Sequence, residues 1–134
     1  MEELAVLGTV SARSPVIASA PMGAAQRTFA NAAARVESEL DPHAMLAGLR
    51  HIENGFGRRR WRRWGDRVLD LDIVLWSEGA LTAADLAIPH PHFRDRTFVL
   101  GPAAAIVPGW RDPATGRSIR QLNARLTRPR PSLR

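Results

Sequence analysis

Asp70 and Asp72 are the residues best suited to chemistry. They lie in a stretch, residues 63–76, that reads Arg-Trp-Gly-Asp-Arg-Val-Leu-Asp-Leu-Asp-Ile-Val-Leu-Trp. From 68 to 76 the pattern predicts a strand, with Leu69, Leu71, Ile73 and Leu75 on one face and Val68, Asp70, Asp72 and Val74 on the other. Alternate strand residues are ~7 Å apart, so the two carboxylates can bridge one metal ion or share a pair of ions ~3.5–4 Å apart. Arg67 stands at the strand entrance, and Arg58, Arg59, Arg60, Arg62 and Arg63 crowd the loop before it. Carboxylates for a hard cation beside arginines for anionic oxygens describe a site for a metal-bound polyphosphate. The competing reading of an Asp-x-Asp strand is a solvated sheet face; the arginines favour the metal reading, because like-charged carboxylates on one face repel and need a counter-charge.

Around this stretch the chain must supply a scaffold. Its 134 residues are enough for one domain with a real core, here expected over residues 1–126, followed by a basic, disordered tail at 127–134. A hydrophobic fraction of 45% and a charged fraction of 24% are those of an ordinary globular protein. The absence of cysteine excludes disulfides and thiolate metal sites. No apolar run approaches the ~20 residues of a membrane span, and Met1-Glu2-Glu3 lacks a basic signal region, so a cytoplasmic protein without membrane contact is expected. The net charge of +6 suggests nucleic acid, but all 19 basic residues are arginine. Coding bias in an alanine-rich chain accounts for that pattern as well as a partner does, so nucleic acid is not the expected ligand.

Residues 1–8 read as the end of a short helix closed by Gly8, and 10–20 as a strand running into the loop Pro21-Met22-Gly23. Residues 27–39 alternate and are expected as a strand. Asp41 as N-cap and Pro42 at the first position start a helix with a buried stripe of Met45, Leu46, Leu49, Ile52 and Phe56, which Gly55 and Gly57 should stop. Glu53 would then lie in the last turn, where the helix dipole disfavours it. Glu78-Gly79 marks a turn, 81–88 a helical turn and a brief strand, and Pro89-His90-Pro91-His92 a rigid connector. Helices are expected at 96–107, where Pro102 demands a late start or a kink, and at 118–126.

Residues 63–74 resemble the signature segment of the 6-hydroxymethyl-7,8-dihydropterin pyrophosphokinases, and the resemblance runs from about Val10 to Pro108 in order and spacing. It implies an α+β fold, a ferredoxin-like α/β sandwich with an antiparallel sheet and helices. It also implies transfer of diphosphate from ATP to the pterin hydroxymethyl group, releasing AMP, in folate biosynthesis, with two Mg2+ ions and a monomeric enzyme. By the same resemblance Asp70 and Asp72 match the magnesium ligands, and Arg67 and Arg58 the arginines on the transferred phosphates. Arg60 matches a loop arginine, Glu53 a nucleotide-side glutamate, and His90 and Arg96 residues facing the triphosphate. Phe29 and Asn31 match the aromatic and Asn that hold the pterin, Phe98 the ring stacked on it, and Trp64 a closing loop aromatic. Ser19, Pro21 and Met22 fall in the pterin-side loop.

An aromatic sandwich with an Asn suits a flat heterocycle with an amide-like edge. The chain departs from the family in three places. By the resemblance the sequence begins near the end of the family's first helix, so either its start is placed too late or an N-terminally shortened chain, without the family's central first strand and Gly-Ser-Asn turn, is expected. Arg50 stands where a glutamine often contacts the nucleotide, and Pro91 replaces a frequent tyrosine. The alternatives are a non-catalytic relative that binds pterin or nucleotide, and a basic nucleic-acid-binding module built on the arginine loop.

Overall fold

The computed structural model describes residues 2–19, 29–59 and 69–128. Among them are six short strands, β1 (Thr9–Arg13), β2 (Ile17–Ser19), β3 (Phe29–Asn31), β4 (Ala34–Glu37), β5 (Leu81–Ala83) and β6 (Leu86–Ile88). There are three helices, α1 (Pro42–Arg59), α2 (Thr97–Ile106) and α3 (Ile119–Thr127), and 3-10 turns at Glu2–Val6 and Phe93–Asp95. The class is α+β, as expected. The strands pair as β1 with β4, β2 with β3 and β5 with β6. No described helix is long and apolar enough to cross a membrane.

The strand expected at 10–20 is two strands, because Ser14-Pro15-Val16 interrupts it. Pro15 has no N–H for a ladder, and buried Ser14 instead closes a local ring with Ala33. Its N–H donates to the Ala33 carbonyl at 2.8 Å, and its Oγ accepts the Ala33 N–H at 2.8 Å. The same ring divides the strand expected at 27–39 into β3 and β4.

The structure forms two compact units, Met1–Ser11 with Val36–His90, and Ala12–Arg35 with Pro91–Arg134. In the first, α1 begins as the sequence demands: Asp41 Oδ1 accepts the Ala44 N–H at 2.8 Å and Pro42 occupies the first helical position. Met45, Leu49 and Ile52, at helical spacing, are buried together with Leu4 of the N-terminal turn. Gly48 lies against the Leu7 side chain, whose end would have to shift to admit a Cβ there. Gly55 and Gly57 do not stop the helix. Neither adopts the positive φ of a glycine cap, and glycine inside a helix costs only about 1 kcal/mol. Residues 81–88 form the antiparallel hairpin β5–β6 with Leu81 opposite Ile88, rather than a helical turn and a strand. Leu86 and Ile88 carry its buried face.

The second unit packs α2 against α3 and against the β2–β3 pair. Phe93, Leu100 and Ile119 are fully buried, with Ala103, Val107 and Leu122 around them. Helix α2 starts at Thr97 and continues through buried Pro102 to Ile106, so of the two ways to accommodate that proline the late start is not the one used. Helix α3 opens with a capping box in which Ser118 and Gln121 satisfy each other's backbone N–H groups. Ahead of it, Asp112 is completely buried and accepts from Arg94 Nε at 2.5 Å, Arg94 Nη2 at 2.7 Å, the Ala114 N–H at 3.0 Å and Thr115 Oγ1 at 2.9 Å.

Candidate active site

Asp70 and Asp72 are both exposed, while Leu69 and Leu71 beside them are half-buried, so the expected alternation holds through this stretch. It ends there: residues 73–76 are all half-buried, and Val74 does not share the aspartates' exposed face. The strand expected at 68–76 is not paired into a sheet among the described residues. Its backbone is satisfied differently. Leu71 donates its N–H to Glu53 Oε2 at 2.6 Å, and its carbonyl accepts from Arg50 Nη1 at 2.9 Å. Arg50 Nη1 also lies 2.8 Å from Glu53 Oε2. One arginine–glutamate pair on α1 therefore takes both backbone groups of the residue between the two aspartates. This occupies Glu53, whose side chain is only 11% exposed. It is not in a last turn, because α1 continues to Arg59.

His90, distant in sequence, comes to the same place. Its backbone N–H donates to the Val74 carbonyl at 3.0 Å, and its Nε2 stands 3.8 Å from Asp72 Oδ2. Asp70, Asp72, Glu53 and His90 thus belong to one unit. Two exposed carboxylates with a histidine alongside form a hard, anionic donor set. Among the described residues no group of three or more His, Asp or Glu converges to enclose an ion.

The second unit gathers other candidates. In the antiparallel β2–β3 pair, Ser19 stands opposite Phe29 and Ile17 opposite Asn31, which is half-buried. Helix α2 packs on this pair and carries half-buried Phe98 in its first turn. Arg96, at the N-cap position of α2, places its guanidinium 5.7 Å from the centre of the Phe98 ring. Arg58 lies in the last turn of α1. Pro21, Met22, Arg60, Trp64 and Arg67 lie outside the described residues.

Sequence reasoning identified Arg50 only as a departure from a family pattern and missed its link to Leu71. The available signal was the i, i+3 spacing of Arg50 and Glu53 on a helix long enough to carry both on one side. It also missed Asp112, although Asp112-Pro113 followed by Thr115-Gly116 is a turn sequence in which an aspartate caps its own loop.

Comparison with known proteins bears on this arrangement. A family model described as 7,8-dihydro-6-hydroxymethylpterin-pyrophosphokinase matches residues 1–108. The chain is 41% identical over 104 residues to the 2-amino-4-hydroxy-6-hydroxymethyldihydropteridine pyrophosphokinase of Synechocystis sp., covering 78% of this chain and 53% of that protein. It is 43% identical over 112 residues to the protein of the same name from Pseudomonas aeruginosa, covering 83% and 68%. With the Bacillus subtilis protein of that name it shares 38% over 99 residues, covering 73% and 59%. The chain therefore spans between about half and two thirds of the length of these relatives.

Proposed function

The chain belongs to the 7,8-dihydro-6-hydroxymethylpterin-pyrophosphokinase family, and on that premise we propose that it transfers diphosphate from ATP to 6-hydroxymethyl-7,8-dihydropterin, releasing AMP. The observation that carries the reading is the exposed Asp70/Asp72 pair, anchored on α1 with His90 beside it, inside the matched region. The donor set fits Mg2+, which takes one or two carboxylates plus substrate phosphates in preference to an all-protein cage. Asp70 and Asp72 would hold two such ions. When bound, Mg2+ supplies charge neutralisation of the triphosphate and acidifies the attacking hydroxyl.

The chain's own residues do the rest by positioning and by charge. Asn31 can donate to and accept from the amide-like edge of the pterin, and Phe29 and Phe98 offer stacking surfaces. By the family resemblance Arg58, Arg67, Arg60, His90 and Arg96 would supply donors to the phosphates, where negative charge spreads as the hydroxymethyl oxygen attacks the β-phosphorus. Trp64 would help exclude water, whose attack on ATP is the competing reaction. Residues 1–126 would act together as the catalytic domain.

The test is AMP release from ATP and Mg2+, with and without 6-hydroxymethyl-7,8-dihydropterin. AMP that forms only with the pterin present is the expected result. A folded chain that binds ATP but forms no AMP would overturn the reading in favour of a non-catalytic relative.

A further inference from the structure

Resting on that reading of the Asp70/Asp72 pair, we propose that Arg50 and Glu53 are positioning residues that set the direction of both carboxylates through the backbone of Leu71. The Leu71 N–H belongs to the peptide joined to Asp70 and its carbonyl to the peptide joined to Asp72, so fixing both groups fixes the direction of one aspartate relative to the other. In a paired strand the neighbouring ladder would fix them. Here, among the described residues, the segment has no ladder. Side chains from α1 grip the Leu71 N–H and carbonyl at 2.6 and 2.9 Å, and the His90 N–H holds the Val74 carbonyl at 3.0 Å.

The grip is built for rigidity. Glu53 is nearly buried, its Oε2 accepts from both Leu71 and Arg50, and Arg50 Nη1 serves both the carboxylate and the carbonyl. These are charge-assisted bonds, shorter and stronger than a neutral ladder. They also place an anion under the aspartates' backbone without adding a third ligand to the exposed face. Arg50 is thereby committed to the protein framework, and Glu53 acts on the ligand through Leu71 instead of touching it.

The experiment compares Glu53→Ala, Glu53→Gln and Asp72→Ala in the full chain, by Mn2+ titration without substrates and by amide hydrogen exchange at Leu71. Glu53→Ala should speed exchange at Leu71 and weaken Mn2+ binding about 10-fold, the scale seen when an indirect support of a metal ligand is removed. Glu53→Gln, which keeps an acceptor oxygen but not the charge, should be intermediate on both readouts. This variant decides the matter if Glu53→Ala does not fold. Asp72→Ala should lose Mn2+ while keeping exchange at Leu71 slow. Wild-type exchange or wild-type Mn2+ affinity in the Glu53 variants, with binding lost in Asp72→Ala, overturns the positioning role alone. Undiminished Mn2+ binding in Asp72→Ala overturns the metal reading of the pair, and this proposal with it.

Discussion

Asp112 and the pair Asp70/Asp72 carry the same side chain in opposite settings. Asp112 is fully buried, and four donors converge on its two oxygens, two of them from one guanidinium in a bidentate fork. The Arg94 hydrogen bonds, the largest influence, hold its carboxyl well below the usual range, at about 2, against the opposing effect of burial. Asp70 and Asp72 are exposed, with His90 3.8 Å from the Asp72 carboxylate, and the backbone between them is gripped by Arg50 and Glu53. An acid whose oxygens are consumed by the protein locks a loop. An exposed acid on a fixed backbone stays within reach of a ligand. The first arrangement should matter for stability and the second for turnover.

The sharpest break of this contrast is Asp72→Ala. It should lower AMP formation by about 10³-fold, equivalent to about 4 kcal/mol of transition-state stabilisation, while the unfolding midpoint stays near wild type. Retained turnover would place Asp72 with the solvated acids of no function.

Next in size is Asp112→Ala, which strands the Arg94 guanidinium and the Thr115 hydroxyl. It should cost about 3 kcal/mol in denaturant unfolding. If the proposed activity holds, the residual folded protein should keep its KM for ATP, and a selective change in KM would blur the contrast.

The smallest effect is one of pH. The Asp112 carboxyl titrates at about 2 in the folded chain against 3.8 in its unperturbed state. As the pH falls the unfolded chain takes up the proton first, so the contribution is complete well above 3.8 and is lost as the pH drops through that value towards 2. The stability gap between wild type and Asp112→Asn should therefore shrink by roughly 2 kcal/mol across that window. A pH-independent gap would show that geometry, and not charge, makes the lock.

Much of this was legible in the sequence, for reasons that can be named. Asp41-Pro42 and the stripe Met45, Leu46, Leu49, Ile52 and Phe56 are local signals; α1 starts as they require and buries Met45, Leu49 and Ile52, with Leu46 and Phe56 half-buried. Ser118 and Gln121 form a capping box that needs no distant partner. The Asp70/Asp72 alternation was readable because side-chain direction in an extended chain depends only on the chain itself. Misreadings came where a distant group took over a local bond. Ser14 and Ala33 split two expected strands by bonding to each other. In the 69–76 segment Leu71 turned to α1 side chains for its hydrogen bonds. Gly55 and Gly57 were misread for another reason, the small cost of glycine inside a helix.

By itself, then, the sequence supplied hard carboxylates beside arginines, which are properties of residue identity and spacing, and a family resemblance that implied the Asn and Phe set. Only the tertiary structure decided that Glu53 and Arg50 spend themselves on Leu71, that His90 arrives beside Asp72, and that Asp112 is a lock. Each depends on groups separated by many residues coming within hydrogen-bond or ion-pair reach. Periodicity along the chain carries no information about such meetings, because it is burial and closure of the fold that force polar groups to find partners across space.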